Sequence, residues 1–237
     1  MLKITQIVLM WEDQKAKEIL FKHLHDRQKK YAGKVALSIV VMGSKGEESK
    51  SLCSPWNIHY AEHPNEPLSD KWNAGFKVAK EVFDPDYYFS SDNIMDDVAF
   101  NSYLDKIEEE YNFLGFRDAY MFDLDSGVTK YWRGYSKDDR RYSRIVYGLM
   151  FSKAVVEDMN FQLTTPGSDV TSYRRYTSNG DDIMSRVYDV DFLDPCGFHV
   201  GIDGIFFELK SKSSLNNIEL FHSYGQLPKE AMTFLRC

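Results

Sequence analysis

Across 237 residues no apolar run approaches the roughly 20 that a membrane-spanning helix needs, so the sequence predicts no membrane span. Its opening, MLKITQIVLMWEDQ, turns acidic too early and is too short for a secretory signal, and it reads as the first strand of a cytoplasmic protein. Cysteine is scarce. Cys53, Cys196 and Cys237 form an odd set without paired spacing, which argues against a disulfide framework and against a zinc site. Positive charge is in deficit, with a net charge of -7, so there is no general attraction to nucleic acid or anionic membrane, and any polyanion contact must be local. Neither G-x-G-x-x-G nor G-x-x-x-x-G-K-[ST] follows the first apolar stretch, which disfavours dinucleotide oxidoreductases and P-loop enzymes. Low-complexity segments and internal repeats are missing as well.

What is present is the material of one folded unit. A hydrophobic share of 43% with 15% aromatic residues suits a globule, and the length suits one large core, so residues 1–237 are read as a single domain. Residues 4–10, ITQIVLM, predict a strand. The period then changes: Ala16, Ile19, Leu20, His23, Leu24 and Tyr31 recur at helical spacing until Gly33. KVALSIVVM at 34–42 predicts a second strand, and the helix between the two implies a right-handed parallel crossover. A polar loop leads to a short strand at NIHYAEH. Residues 69–83 predict a helix with Trp72, Phe76 and Ala79 on one apolar face, followed by a strand in DYYFSSDN. Alternation of this kind builds a mainly parallel sheet flanked by helices, with its ligand cleft beyond the C-terminal strand ends.

Beyond residue 97 the alternation weakens. Residues 98–111 predict a helix, YNFLGF and AYMFDLD predict strands, and apolar character returns at 145–158. KYWRGYSKDDRRYSR, at 130–144, reads as a polar and aromatic loop carrying Lys130, Arg133, Lys137, Arg140, Arg141 and Arg144. Such a loop suits a lid over phosphates or over a sugar acceptor, because Arg pairs with phosphate through two N–H groups and aromatic rings stack. At YYFSSDN an aromatic strand delivers Asp92 and Asn93 to the cleft edge. Asp and Asn start turns and cap helices without any further role, but a carboxylate at a strand end of this kind of sheet also stands where ligands and metals bind.

The order of KWNAGFKVA at 71–79, SSDN at 90–93, GLMFSK at 148–153 and NGDDIMSRV at 179–187 resembles the GT-A glycosyltransferases, in particular the family 2-like enzymes. The YWRGY segment also looks like glycosyltransferase sequences of tailed phages. The resemblance covers most of residues 4–190. It implies a GT-A (Rossmann-like) mixed sheet, with residues 1–97 as the nucleotide-sugar half and 98–237 as the acceptor half and C-terminal extension. It also implies transfer of a hexosyl or pentosyl group from a nucleotide-diphosphate sugar to a hydroxyl acceptor, a glycan or a modified DNA base. Mg²⁺ or Mn²⁺ is the implied cofactor, with Asp92 as ligand and His199 as a later one; His222 is a weaker candidate. Trp11, Lys71, Asn73, Ser91 and Arg133 are the expected donor contacts. Asp182, with Asp181 beside it, is the expected base.

The chain departs from the family pattern at the strand end. Ser90 stands where a D-x-D motif has its first acid, so two-carboxylate coordination is not available there. Two other readings follow from the same residues: a catalytically inactive GT-A-like binding module, and a sugar nucleotidyltransferase, although WEDQKAKE is a poor match to the Gly-rich basic first loop of the latter.

Overall fold

The computed structural model describes residues 1–11, 14–116, 119–132, 147–163, 190–193, 206–211 and 222–223. The N-terminal half follows the expected alternation: β1 (Leu2–Leu9), α1 (Gln14–Tyr31), β2 (Val35–Gly43), α2 (Glu47–Cys53), β3 (His59–Glu62), α3 (Leu68–Phe83) and β4 (Tyr87–Ser90). A two-residue strand β5 (Ile94–Met95) precedes α4 (Asp97–Glu108), β6 (Phe113–Phe116), β7 (Ala119–Asp123), β8 (Thr129–Trp132), β9 (Tyr147–Ser152) and α5 (Lys153–Asp158). Three further strands complete the described residues: β10 (Val190–Leu193), β11 (Phe206–Lys210) and β12 (His222–Ser223).

These form two sheets. The larger runs β10-β6-β9-β4-β1-β2-β3 and is parallel except for β9, which is antiparallel to both neighbours. The smaller runs β12-β8-β7-β11-β5. β1 is central because both of its faces are apolar or covered: Ile4, Thr5, Gln6, Ile7 and Val8 are all buried. One side packs Ile7, Val40 and Met42 against Trp72, Phe76 and Ala79 of α3. The other packs Val8, Ile39 and Val41 against Leu20, Phe21 and Leu24 of α1 and against Tyr120 and Tyr131 of the smaller sheet. The helical stripe read from the sequence is therefore the buried stripe of α1, and Trp72 and Phe76 are core. Starts are marked by side-chain caps, Asp96 accepting from the Ala99 amide at 2.8 Å and Ser152 from the Val155 amide at 3.4 Å.

α3 lies close on the sheet because of Gly75. A Cβ there would stand 2.7 Å from Ile7 Cγ2 and 3.2 Å from Met42 Cγ, so only glycine permits this approach. Two expectations are corrected. The polar stretch after β2 contains α2, whose first turn holds Glu47 and Glu48, favourable at a helix N-terminus. The loop expected from residue 130 begins as β8, and Lys130 is buried in it, where cross-strand pairing with β7 outweighs a solvated position. No helix among the described residues is long and apolar enough to cross a membrane.

Candidate functional site

Parallel strands β1, β2, β3 and β4 end on one edge, and their loops assemble the candidate site. Met10 N donates to Met42 O at 2.9 Å, and Ser91 N donates to Ile7 O at 3.2 Å, which joins the tips of β1, β2 and β4. Gln6 Nε2 donates to Ser91 O at 2.7 Å from below. Ser91, buried, accepts the Asn93 amide on its hydroxyl at 3.2 Å. The Ser-Ser-Asp-Asn tip is thus fixed by its backbone, and Asp92 projects from it with 44% of its side chain exposed.

Asp92 does not stand alone. Lys17 Nζ of α1 lies 3.2 Å from Asp92 Oδ2, and only 11% of the Lys17 side chain is exposed. Neighbouring groups desolvate the Asp92 carboxyl, but Lys17, and less closely Lys210, outweigh that effect and hold it below the usual carboxylate range. Lys210 lies on β11, buried, with its ammonium 2.6 Å from Glu208 Oε1. Burial pushes the Glu208 carboxyl up; Lys210 opposes the shift and Asp92 adds to it. β5 pairs antiparallel with β11, Ile94 opposite Phe207 and Met95 opposite Phe206, and Asn93 and Glu208 each adjoin the Ile94–Phe207 pair along the chain. Asn93 Oδ1 and Glu208 Oε2 are both buried without a hydrogen-bond partner among the described residues.

Lys71, near the start of α3, is fully buried. Its ammonium donates to Met10 O at 2.8 Å, to Asn65 Oδ1 at 3.2 Å and to Ser44 Oγ. Burial, with Lys17 nearby, lowers its pKa to about 8 against the opposing pull of Glu62. Lys71 ties together the segments that follow β1, β2 and β3 under the site. Asn73 is buried on the same helix. Trp11 is 46% exposed at the mouth, and Lys45 Nζ sits 5.2 Å from its ring centroid.

The structure therefore brings Trp11, Lys71, Ser91 and Asp92 to one edge. Asp181, Asp182, Arg133 and His199 lie outside the described residues. His222 lies in β12, opposite Tyr131 of β8 in the smaller sheet. Sequence reasoning missed Lys17, Glu208 and Lys210. Lys17 occupies an ordinary polar position in a helical pattern, and its partner is 75 residues away, so no local signal marks it. Glu208 and Lys210 share a face of β11 through simple alternation, which is the only sequence trace of their proximity.

No family model matches the sequence, and no curated protein does. Solved structures do match in fold. TarS of S. aureus superposes with a TM-score of 0.53 at 11% identity, over 88% of this chain and 37% of TarS, so the chain spans little more than a third of that protein. The inositol-1-phosphate CTP transferase of T. maritima gives 0.51 at 11% identity over 92% of both chains. Mannosyl-3-phosphoglycerate synthase of Rubrobacter xylanophilus gives 0.52 at 10% identity, over 81% of this chain and 65% of that one. At such identities the likeness defines the fold: a mixed α/β, GT-A-like architecture shared with nucleotidyltransferase-type sheets.

Proposed function

We propose that the chain is a glycosyltransferase that moves a hexosyl or pentosyl group from a nucleotide-diphosphate sugar to a hydroxyl acceptor. The observation that carries this reading is the strand-end edge, where half-exposed Asp92 stands beside buried Lys17 with Trp11 at the mouth. A flat exposed ring suits a nucleobase, and an ammonium suits a phosphate. The family names of its fold neighbours, a mannosyl-phosphoglycerate synthase and a CTP transferase among them, agree with a transferase of nucleotide-linked groups.

In the reaction the acceptor oxygen attacks the anomeric carbon, the bond from that carbon to the diphosphate oxygen breaks, and the nucleoside diphosphate leaves. Asp182 takes the acceptor proton, with Asp181 beside it, and Arg133 meets the departing phosphates. Mg²⁺ or Mn²⁺, when bound, neutralises diphosphate charge. Asp92 would be its ligand and His199 a second. The described residues alone do not fit such an ion: Ser90 lacks a carboxylate, Asp92 is held by Lys17, and among them no group of three or more His, Cys, Asp or Glu is placed to hold a metal. The acceptor is a glycan or, following the phage-like YWRGY segment, a modified DNA base.

A nucleotidyltransferase is the second reading, favoured by the T. maritima likeness, which extends over nearly the whole of both chains. Incubation with a panel of sugar nucleotides, and separately with nucleoside triphosphates and sugar phosphates, distinguishes the two. Release of nucleoside diphosphate from a sugar nucleotide upholds the glycosyltransferase, release of pyrophosphate from a triphosphate upholds the second reading, and silence with both leaves a binding module.

A further inference from the structure

We propose that Lys17 receives the donor diphosphate directly, so that diphosphate binding at the strand tip requires no divalent ion. The inference rests on reading this edge as a nucleotide-diphosphate site. An ammonium carries three N–H donors. Lys17, about nine-tenths buried, directs one of them at Asp92 Oδ2, its single acceptor among the described residues. A buried cation in this state is costly unless its remaining donors meet oxygen. Asp92 is the solvent-facing side of the pair, 44% exposed, and on that side water or an incoming ligand oxygen can reach the ammonium.

The neighbours reinforce the sign of the site. Lys210 and Lys71, both buried, stand within electrostatic reach of Asp92 and of Lys17 respectively. Among the described residues the other nearby carboxylates are largely committed: Glu208 to Lys210 at 2.6 Å, and Glu62 to the Gly46 amide at 3.2 Å and to the Tyr60 hydroxyl. Asp92 is the exception, a solvent-facing counter-ion in a position from which an anion can displace it. Its carboxylate then acts as a placeholder for phosphate oxygen, keeping Lys17 paired in the empty site. A diphosphate offers several charged oxygens, so it can share Lys17 with Asp92 or take its place, and charge-assisted N–H···O bonds of this type are the strong ones.

The experiment is calorimetric titration of the full chain with inorganic pyrophosphate in EDTA, repeated with Mn²⁺. Wild type should bind in EDTA, and Mn²⁺ should change the affinity by no more than about twofold. Lys17→Met should weaken binding by about 10- to 100-fold, the value of a charged hydrogen bond, while Lys17→Arg keeps most of it. Asp92→Asn should tighten binding by about threefold or more, because it removes a competing negative charge. If Lys17→Met fails to fold, the Asp92→Asn result still decides, since a metal-borne site predicts the opposite sign. Pyrophosphate binding that appears only with Mn²⁺, that is lost in Asp92→Asn, or that is indifferent to Lys17→Met overturns the proposal, as does no binding at all. Sugar-nucleotide turnover, measured on the same samples, keeps the two readings apart. Lys17-dependent pyrophosphate binding without turnover of any sugar nucleotide sinks only the glycosyltransferase, and turnover accompanied by pyrophosphate binding that appears only with Mn²⁺ sinks only the role of Lys17.

Discussion

Lys71 and the proposed base Asp182 call for different kinds of test. Lys71 is surrounded by oxygen: Met10 O, Asn65 Oδ1 and Ser44 Oγ face its three donors. Replacing it with Met deprives buried acceptors of their donor, so Lys71→Met should destabilise the fold by about 1–3 kcal/mol. Urea denaturation measures this, and an unchanged midpoint with lost diphosphate affinity would instead make Lys71 a direct phosphate ligand. The proposed role of Asp182 as base carries a kinetic signature. Asp182→Asn keeps size and most hydrogen bonding but not proton acceptance, so turnover should fall by about 10²-fold or more with donor affinity kept. A folded mutant with normal turnover excludes it. The sequence marked Asp92 and Ser91 by their place at a strand end, because that position is set by local pattern. Lys17 was hidden for the opposite reason, since only the docking of α1 on the sheet turns a polar helix position inward.

At the scale of the elements, α1 and α3 clamp the sheet by different means. α3 relies on closeness at Gly75, the glycine of the N-A-G motif. Gly75→Ala would gain a little helix propensity, but its methyl would stand 2.7 Å from Ile7 Cγ2, which forces a shift, and 3.2 Å from Met42 Cγ, which must give way slightly. Overpacking costs about 1–3 kcal/mol, so a lowered thermal midpoint is expected, and a raised one shows that α3 can lift off without loss. α1 relies on polar ties as well as on its apolar stripe. Arg27, buried, donates through Nη2 to Met95 O and to His23 Nε2, each at 2.7 Å, and its guanidinium lies over the Phe100 ring at 5.0 Å from the centroid. These ties fasten α1 to β5, next to the tip that carries Asp92. α1, β2 and α3 were legible because their apolar periods run for many residues, and β4 because the aromatic run YYF breaks off at two serines. α2 was not, since seven polar-rich residues, EESKSLC, carry too short a period, and β8 was masked by the charges around it.

The whole molecule should lose stability in mild acid through His23. Burial first, and then Arg27, lowers its pKa from 6.5 to about 3, so the folded state holds the ring neutral. The unfolded chain takes up the proton near pH 6.5 and the folded chain only near 3. This contribution is therefore intact above about pH 6.5 and declines as pH falls toward 3, by up to about 1.4 kcal/mol per unit. Denaturant midpoints measured from pH 7 to 4 should show that slope, and His23→Gln should flatten it. An identical slope in the mutant would place the acid sensitivity elsewhere. The division into two sheets was the part of the architecture that sequence could not supply. β5 has two residues, and its partner β11 lies more than a hundred residues further on, so their pairing is a tertiary choice without a local period to announce it.

That pairing bears on the freedom of position 92 to vary. Between the end of β4 and the start of β5 the chain passes from one sheet to the other in three residues, Ser91 to Asn93. Its route is held by the Ser91 amide and carbonyl on one side and by the β5–β11 ladder on the other. The side chain at 92 takes no part in that route. The backbone is accordingly held whatever stands there, but buried Lys17 is not indifferent, so a lineage carrying this fold exchanges one ligand chemistry for another at this tip by changing positions 17 and 92 as a pair.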